Sequence, residues 1–65
     1  MFRIDDWVLY IQFPDASTDS LREPKKAVIL EVLGNKQYFI WVDDPSIPVE
    51  TRRRKVNEEN LKNID

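Results

Sequence analysis

Large aromatic rings and a run of cations are the side chains of this sequence best suited to chemistry. The rings are Trp7, Tyr10, Phe39 and Trp41, and four consecutive cations occupy residues 52–55. Aromatic and Arg side chains dominate binding hot spots, and a cation is attracted to a ring face. Rings beside cations also suit the bases and phosphates of a nucleic-acid strand. These side chains are therefore suited to the recognition of a partner.

The residue types give little support to catalysis. The chain has no His and no Cys, so the usual general base, the usual zinc ligand and any thiolate are absent. Paired aspartates occur at residues 5–6 and 43–44, without the spacing of a calcium-binding loop. We therefore expect no enzyme activity, no catalytic residue, no metal site and no cofactor.

Length and composition indicate one domain spanning residues 1–65. Domains this small bury only roughly 60% of their unfolded surface, and no disulfide can supplement the core. The net charge is −2, which argues against a dedicated nucleic-acid coat protein. No apolar run approaches the length of a membrane span, and the N-terminus lacks the features of a signal peptide. We expect a cytoplasmic protein without membrane association.

A hairpin over residues 26–43 is the central element of the predicted fold. Gly34 and Asn35 separate two apolar runs and suit a two-residue turn, whose central residues often need positive φ. Gly34 in particular is expected at positive φ. The predicted strands cover residues 26–33 and 36–42.

Each strand of this hairpin divides its side chains between two faces. One face carries Ala27, Ile29, Glu31, Tyr38, Ile40 and Val42, and the other carries Val28, Leu30, Val32, Phe39 and Trp41. In this register Trp41 lies across from Val28, and Phe39 from Leu30. A bulge near Leu30 and Glu31 would instead turn the Val32 side chain toward the first of these faces. Since both faces are apolar, either the strands curve around a small barrel or one face meets a partner.

Three further strands complete the predicted fold. The remaining elements are a strand at 7–13, a polar loop at 14–25, a loop at 43–48, a strand at 49–56, a helical turn at 57–60 and a last short strand. Leu21 is expected to anchor the long loop, Asn57 to cap the helical turn, and Leu61 and Ile64 to anchor the last strand. Pro14 ends the first strand because proline cannot donate to a ladder.

Short motifs in these elements point to a known architecture. They are Asp6-Trp7-Val8, Ala27-Val28-Ile29 with Val32, Tyr38 to Asp44, and Val56 with Glu59-Asn60-Leu61. Together they resemble the SH3-like barrels, within them the Tudor and agenet-like group, over most of the chain. The resemblance implies an all-β, five-stranded SH3-like small barrel with one short helical turn before the last strand. It also implies an aromatic cage for a methylated cation, with Tyr10 and Tyr38 or Trp41 as walls, although the loop at 43–48 carries no ring.

The predicted core leaves one face of the hairpin to be covered. The expected core residues are Val8, Ala27, Ile29, Ile40, Val42, Val56 and Leu61. The patch around Trp41 then needs the long loop, another copy or a partner to cover it. We therefore expect a small non-catalytic interaction module that binds a protein partner through an aromatic-bearing surface. The expected site residues are Trp7, Tyr10, Phe39, Trp41, Arg52 and Arg54.

Two alternatives use the same residues differently. In the first, the basic strand at 52–55 makes the chain a nucleic-acid-binding module. Alternation puts Arg52 and Arg54 on one face of that strand and Arg53 and Lys55 on the other. Its cations also suit an edge strand protected from aggregation by charge. In the second alternative, the chain is a structural homo-oligomer that buries the second apolar face.

Overall fold

Five antiparallel strands form a single sheet in the order β4-β3-β2-β1-β5. The strands are β1 (Trp7–Tyr10), β2 (Lys25–Gly34), β3 (Gln37–Val42), β4 (Arg53–Asn57) and β5 (Leu61–Asn63). The structure, a computed structural model, describes residues 2–15, 17 and 23–64, so Leu21 lies outside the described residues. The predicted all-β class is confirmed. Among the described residues no pairing joins β4 to β5, so closure into a barrel stays a prediction.

Short 3-10 helices lie on either side of β4. Val49–Thr51 forms the first, so the fourth strand begins at Arg53 and not at Val49 as predicted. The second, Glu58–Asn60, is the helical turn expected before the last strand. Asn57 occupies the N-cap position of this turn as predicted, but its side chain makes no cap hydrogen bond. No helix among the described residues is long and apolar enough to cross a membrane.

The first strand ends three residues earlier than predicted, at Tyr10. Beyond this strand, Ile11 bonds to Asn60, the residue directly before β5. The Ile11 N–H donates to the Asn60 carbonyl at 2.8 Å, and the Asn60 Nδ2 group donates back to the Ile11 carbonyl at 3.0 Å. These two bonds satisfy the Ile11 backbone without a ladder, so the chain can leave the sheet here.

The hairpin register matches the prediction up to Ile29 and then shifts. Ile29 pairs with Ile40, but Glu31 and not Leu30 pairs with Phe39. A β-bulge at Leu30 inserts one extra residue into β2. The predicted pairing of Phe39 with Leu30 is therefore wrong. Val32 pairs with buried Tyr38, so it turns to the core side of the sheet as predicted, but it remains 47% exposed.

The tight turn is centred on Asn35 and Lys36, one residue later than predicted. Their φ values are 52° and 60°, and Gly34 pairs with Gln37 across the turn. Positive φ at both central residues is the geometry of a type I′ turn, which matches the twist of the flanking strands. Gly34 itself has φ 81°, so its predicted positive φ is confirmed.

The core lies on one side of the sheet. All seven predicted core residues are buried, and Ala27, Ile29, Ile40 and Val42 are completely inaccessible at 0% exposure. The core also takes in Phe2, Tyr10 and Tyr38, whereas Ile11 is buried outside this cluster. Ile64 is 40% exposed, so its predicted role as an anchor of the last strand is wrong. Leu61 alone anchors β5 in the core.

An ion pair fastens the loop after β3 to the start of β2. The Lys25 Nζ atom donates to Asp44 Oδ2 at 2.6 Å, and the Ser46 N–H and hydroxyl donate to Asp44 Oδ1 at 2.9 and 2.8 Å. These bonds, chiefly the one from Lys25, hold the pKa of the Asp44 carboxyl well below its usual range. The same bond raises the pKa of Lys25.

We expect Asp44→Asn to lower the stability of the domain at neutral pH and to lose that effect in acid. Because the folded pKa of Asp44 lies below its unfolded value of about 3.9, its contribution is present above about pH 4 and disappears as pH falls further. Urea unfolding of both proteins from pH 2.5 to pH 8 measures the difference. Asp43→Asn removes the same charge next door and controls for net charge. A stability difference that stays constant into acid would contradict the assignment.

Candidate partner-binding face

The side of the sheet turned away from the core, here called the outer face, carries most of the exposed rings. Cross-strand neighbours share a face, and a single row of them crosses four strands: Arg53, Trp41, Val28 and Trp7. Trp7 is 50% exposed, and Trp41 and Val28 are partly buried. Trp41 pairs with Val28 as predicted. The row forms a continuous apolar strip with a guanidinium at one end.

A second row extends this strip toward the turn. Lys55 pairs with Phe39, and Phe39 pairs with Glu31. The Arg53 Cζ atom lies 4.1 Å from the centroid of the Phe39 ring, which is the geometry of a cation–π contact. The contact holds the Arg53 guanidinium against the rings, where both remain in reach of a ligand.

A third row borders the strip on its other side. Lys26 pairs with Leu9, and Leu9 pairs with Lys62. The Asp43 N–H donates to the Lys26 carbonyl at 2.8 Å, which places Asp43 at the end of this row. An adjoining groove of about 440 Å³ is lined by Leu9, Ile11, Pro14, Pro24 and Lys62. The outer face therefore continues past the strand ends into a shallow, mostly apolar depression.

Three of the predicted site residues lie on the core side of the sheet. Tyr10 is buried, and the Arg54 Cζ atom lies 5.9 Å from the centroid of its ring. The Arg54 Nε group donates to the Thr51 carbonyl, and the Arg52 Nε group donates to the Ile47 carbonyl, both at 2.8 Å. These two arginines hold the backbone of the segment before β4 in place through hydrogen bonds to its carbonyl groups. The structure thus brings together Trp7, Phe39 and Trp41 and separates them from Tyr10, Arg52 and Arg54.

Arg53 and Lys55 are the outer-face cations of β4, which the predicted site omitted. A signal for them is present in the sequence. Val56 was expected in the core, and counting back from it in steps of two puts Arg54 and Arg52 on the core side. The same count from Val8 puts Tyr10 in the core.

The ring of Tyr38 occupies the opposite side of the sheet from Trp41. Its hydroxyl donates to Glu58 Oε2 at 2.7 Å, and its ring meets Phe2 edge-on with centroids 5.7 Å apart. The bond to Glu58 and burial raise the pKa of Tyr38. Tyr38 and Trp41 therefore do not line one common cavity.

The outer face carries rings, aliphatic groups and cations, which are side chains suited to binding a partner. Within the described ranges, no group of three or more His, Cys, Asp or Glu side chains is placed to hold a metal ion. Comparisons with protein-family models, curated proteins and solved structures found no match for this chain. Its function is therefore argued from the geometry of the outer face itself.

Proposed function

We propose that this chain is a small non-catalytic interaction module that binds its partner through the outer face. The row of Arg53, Trp41, Val28 and Trp7 carries the proposal, because it presents two indoles and a guanidinium to solvent across four strands. Monomers rarely leave a contiguous apolar patch without a use. Trp and Arg are also the residue types most enriched among binding hot spots.

We propose an SH3-like barrel as the architecture of this module. The strand order supports it, since β1 lies between β5 and β2 while β3 and β4 follow on the other side. The long loop between β1 and β2 and the 3-10 helix before β5 also fit that pattern.

Three classes of partner make different demands on the outer face. A protein partner, the first expectation from the sequence, inserts apolar side chains between Trp7 and Trp41 and pairs with the cations around them. A nucleic acid needs rings for its bases and cations for its phosphates. A second copy of the chain needs a self-complementary patch. All three predict that Trp41 contributes more to association than to folding.

Site-specific photo-crosslinking tests the proposed surface. We expect p-benzoylphenylalanine in place of Glu31, which is exposed on the outer face, to form an adduct in an extract of the source organism. Trp41→Ala should remove the adduct because it truncates the centre of the strip, while the thermal unfolding midpoint stays high enough for a folded protein. Sensitivity of the adduct to protease or to nuclease, or a mass of two copies, identifies the partner class.

The matched control places the same crosslinker at Val49, which is 59% exposed in the first 3-10 helix, away from the outer face. Adducts of equal yield from both positions, or adducts at Glu31 that survive Trp41→Ala, would remove the outer face as the binding surface.

A further inference from the structure

Charge is distributed unevenly between the outer face and the rest of the chain. Among the residues that the structure describes, those that the strand pairing places on this face include the cations Lys26, Arg53, Lys55 and Lys62 and the carboxylates Glu31 and Asp43. The whole chain nevertheless carries a net charge of −2. The outer face is thus a basic surface on an acidic protein, and a ligand attracted to it by charge is an anion.

The cations are placed around the rings on opposite borders. Arg53 and Lys55 lie on β4, and Lys62 lies on β5 at the other edge of the sheet. Neighbouring strands are about 4.8 Å apart, so roughly 19 Å of sheet surface lies between these two edge strands. Trp7 and Trp41 lie between them, two strands apart. An extended chain with an anion on every unit can therefore cross the rings and meet cations on both borders.

The rings favour bases that are not stacked in a duplex. Trp7 is 50% exposed, and stacking on an indole requires a free base face, which single strands provide and duplexes do not. The Arg53 guanidinium over Phe39 adds a second flat, cationic surface. Such stacking is tolerant of sequence because every base has a π-face.

We propose that the outer face binds single-stranded nucleic acid of about four nucleotides, the lower end of the site sizes known for OB-fold domains. Bases stack on Trp7 and Trp41, and phosphates pair with Arg53, Lys55, Lys26 and Lys62. This inference rests on the proposed function, since it names the partner of the same face.

The first test is a titration of the intact chain with fluorescein-labelled oligothymidylate and oligouridylate at 50 and 200 mM NaCl. Four phosphate contacts give a slope of log K against log salt near −2.8, so binding should be roughly 50-fold weaker at the higher salt. The same sequence annealed to its complement should bind much more weakly, because its bases are stacked. No binding to either single strand at 50 mM, or equal binding to single strand and duplex, would overturn the proposal.

Matched variants locate the site. Lys55→Glu and Lys36→Glu make the same charge change at exposed positions, one on the outer face and the other in the turn. Lys55→Glu should make the salt slope less negative by about 0.7, and Lys36→Glu should leave it unchanged. Trp41→Leu keeps an apolar side chain but removes the stacking surface, and should weaken binding roughly 5- to 150-fold.

Equal effects of the two lysine variants would show diffuse attraction by charge and would overturn the proposed site. The crosslinking experiment separates this failure from failure of the proposed function. A Trp41-dependent adduct to a protein, together with no oligonucleotide binding, leaves the outer face as the binding surface and assigns it a protein partner.

Discussion

Ile40→Ala is expected to cost roughly 2–5 kcal/mol of the free energy of unfolding. Ile40 is completely buried and packs in the middle of the sheet, between Ile29 on β2 and the stem of Arg54 on β4. Removing three carbons there leaves a cavity that three paired strands cannot easily close. A domain of this length has a total stability of roughly 3–10 kcal/mol, so this variant should lose a large fraction of it and unfold if the total lies near the lower end of that range.

Urea unfolding followed by circular dichroism measures this effect, and Ile40→Val keeps a measurable transition if Ile40→Ala does not. The conservative change should cost roughly 0.5–1.5 kcal/mol. Val32→Ala is the matched control, since Val32 lies on the same side of the sheet but is 47% exposed. Its expected cost is within about 0.5 kcal/mol. An unfolding midpoint of Ile40→Ala equal to that of the parent protein would refute the core assignment.

Gly34→Val is expected to cost roughly 1–3 kcal/mol through backbone strain. Gly34 has φ 81°, and a Cβ atom built on it meets no other heavy atom within 4 Å. The added Cβ atom therefore meets no atom beyond its two chain neighbours, and no packing is lost. What it adds is a β-branched side chain in a conformation that such residues rarely adopt.

Gly34→Asn provides the comparison that isolates the strain. Asn tolerates the left-handed region far better than Val does, so its cost should be clearly smaller. Chemical denaturation of the two variants beside the parent protein measures both costs. Equal losses from Val and Asn would attribute the effect to the loss of glycine in general and not to strain at this φ.

The buried half of the fold is predictable because a strand alternates its side chains with a period of two. Ala27, Ile29, Ile40 and Val42 follow that period through both strands of the hairpin, and all four are buried. Burial is a strong constraint, since a slip of one residue would expose the entire set. The pairing of Trp41 with Val28 follows from the same register.

The end of the hairpin is not predictable in the same way, because an added residue leaves the hydrophobic pattern almost unchanged. The pairing shifts once between Ile29 and Glu31 and again between Val32 and Gly34. Each shift adds one residue to β2 relative to β3, and together they move the centre of the turn one residue along. Gly34 offered a turn signal, but Asn35 and Lys36 can also adopt positive φ, so the residue types do not decide between the two turns.

Only part of the candidate site could be predicted from the sequence, for a related reason. Alternation separates Arg53 from Arg52 and Arg54, but which side meets the rings depends on how β4 pairs with β3. That register is set by the length of the segment between them, and this segment contains a 3-10 helix where a strand was expected. Val56 supplied an independent guide, because its burial defines the core side of β4.

The two hydrogen bonds between Ile11 and Asn60 have a consequence for the chain entropy of folding. The amide of Asn60 bonds to a carbonyl 49 residues away in the chain, whereas the hairpin joins residues close in sequence. Closing the longer loop costs on the order of 1 kcal/mol more in chain entropy. β5 has only three residues and one buried side chain to offset this cost. Of the five strands, β5 therefore has the smallest free energy of local opening. Its backbone amides should exchange with solvent sooner than those of the hairpin.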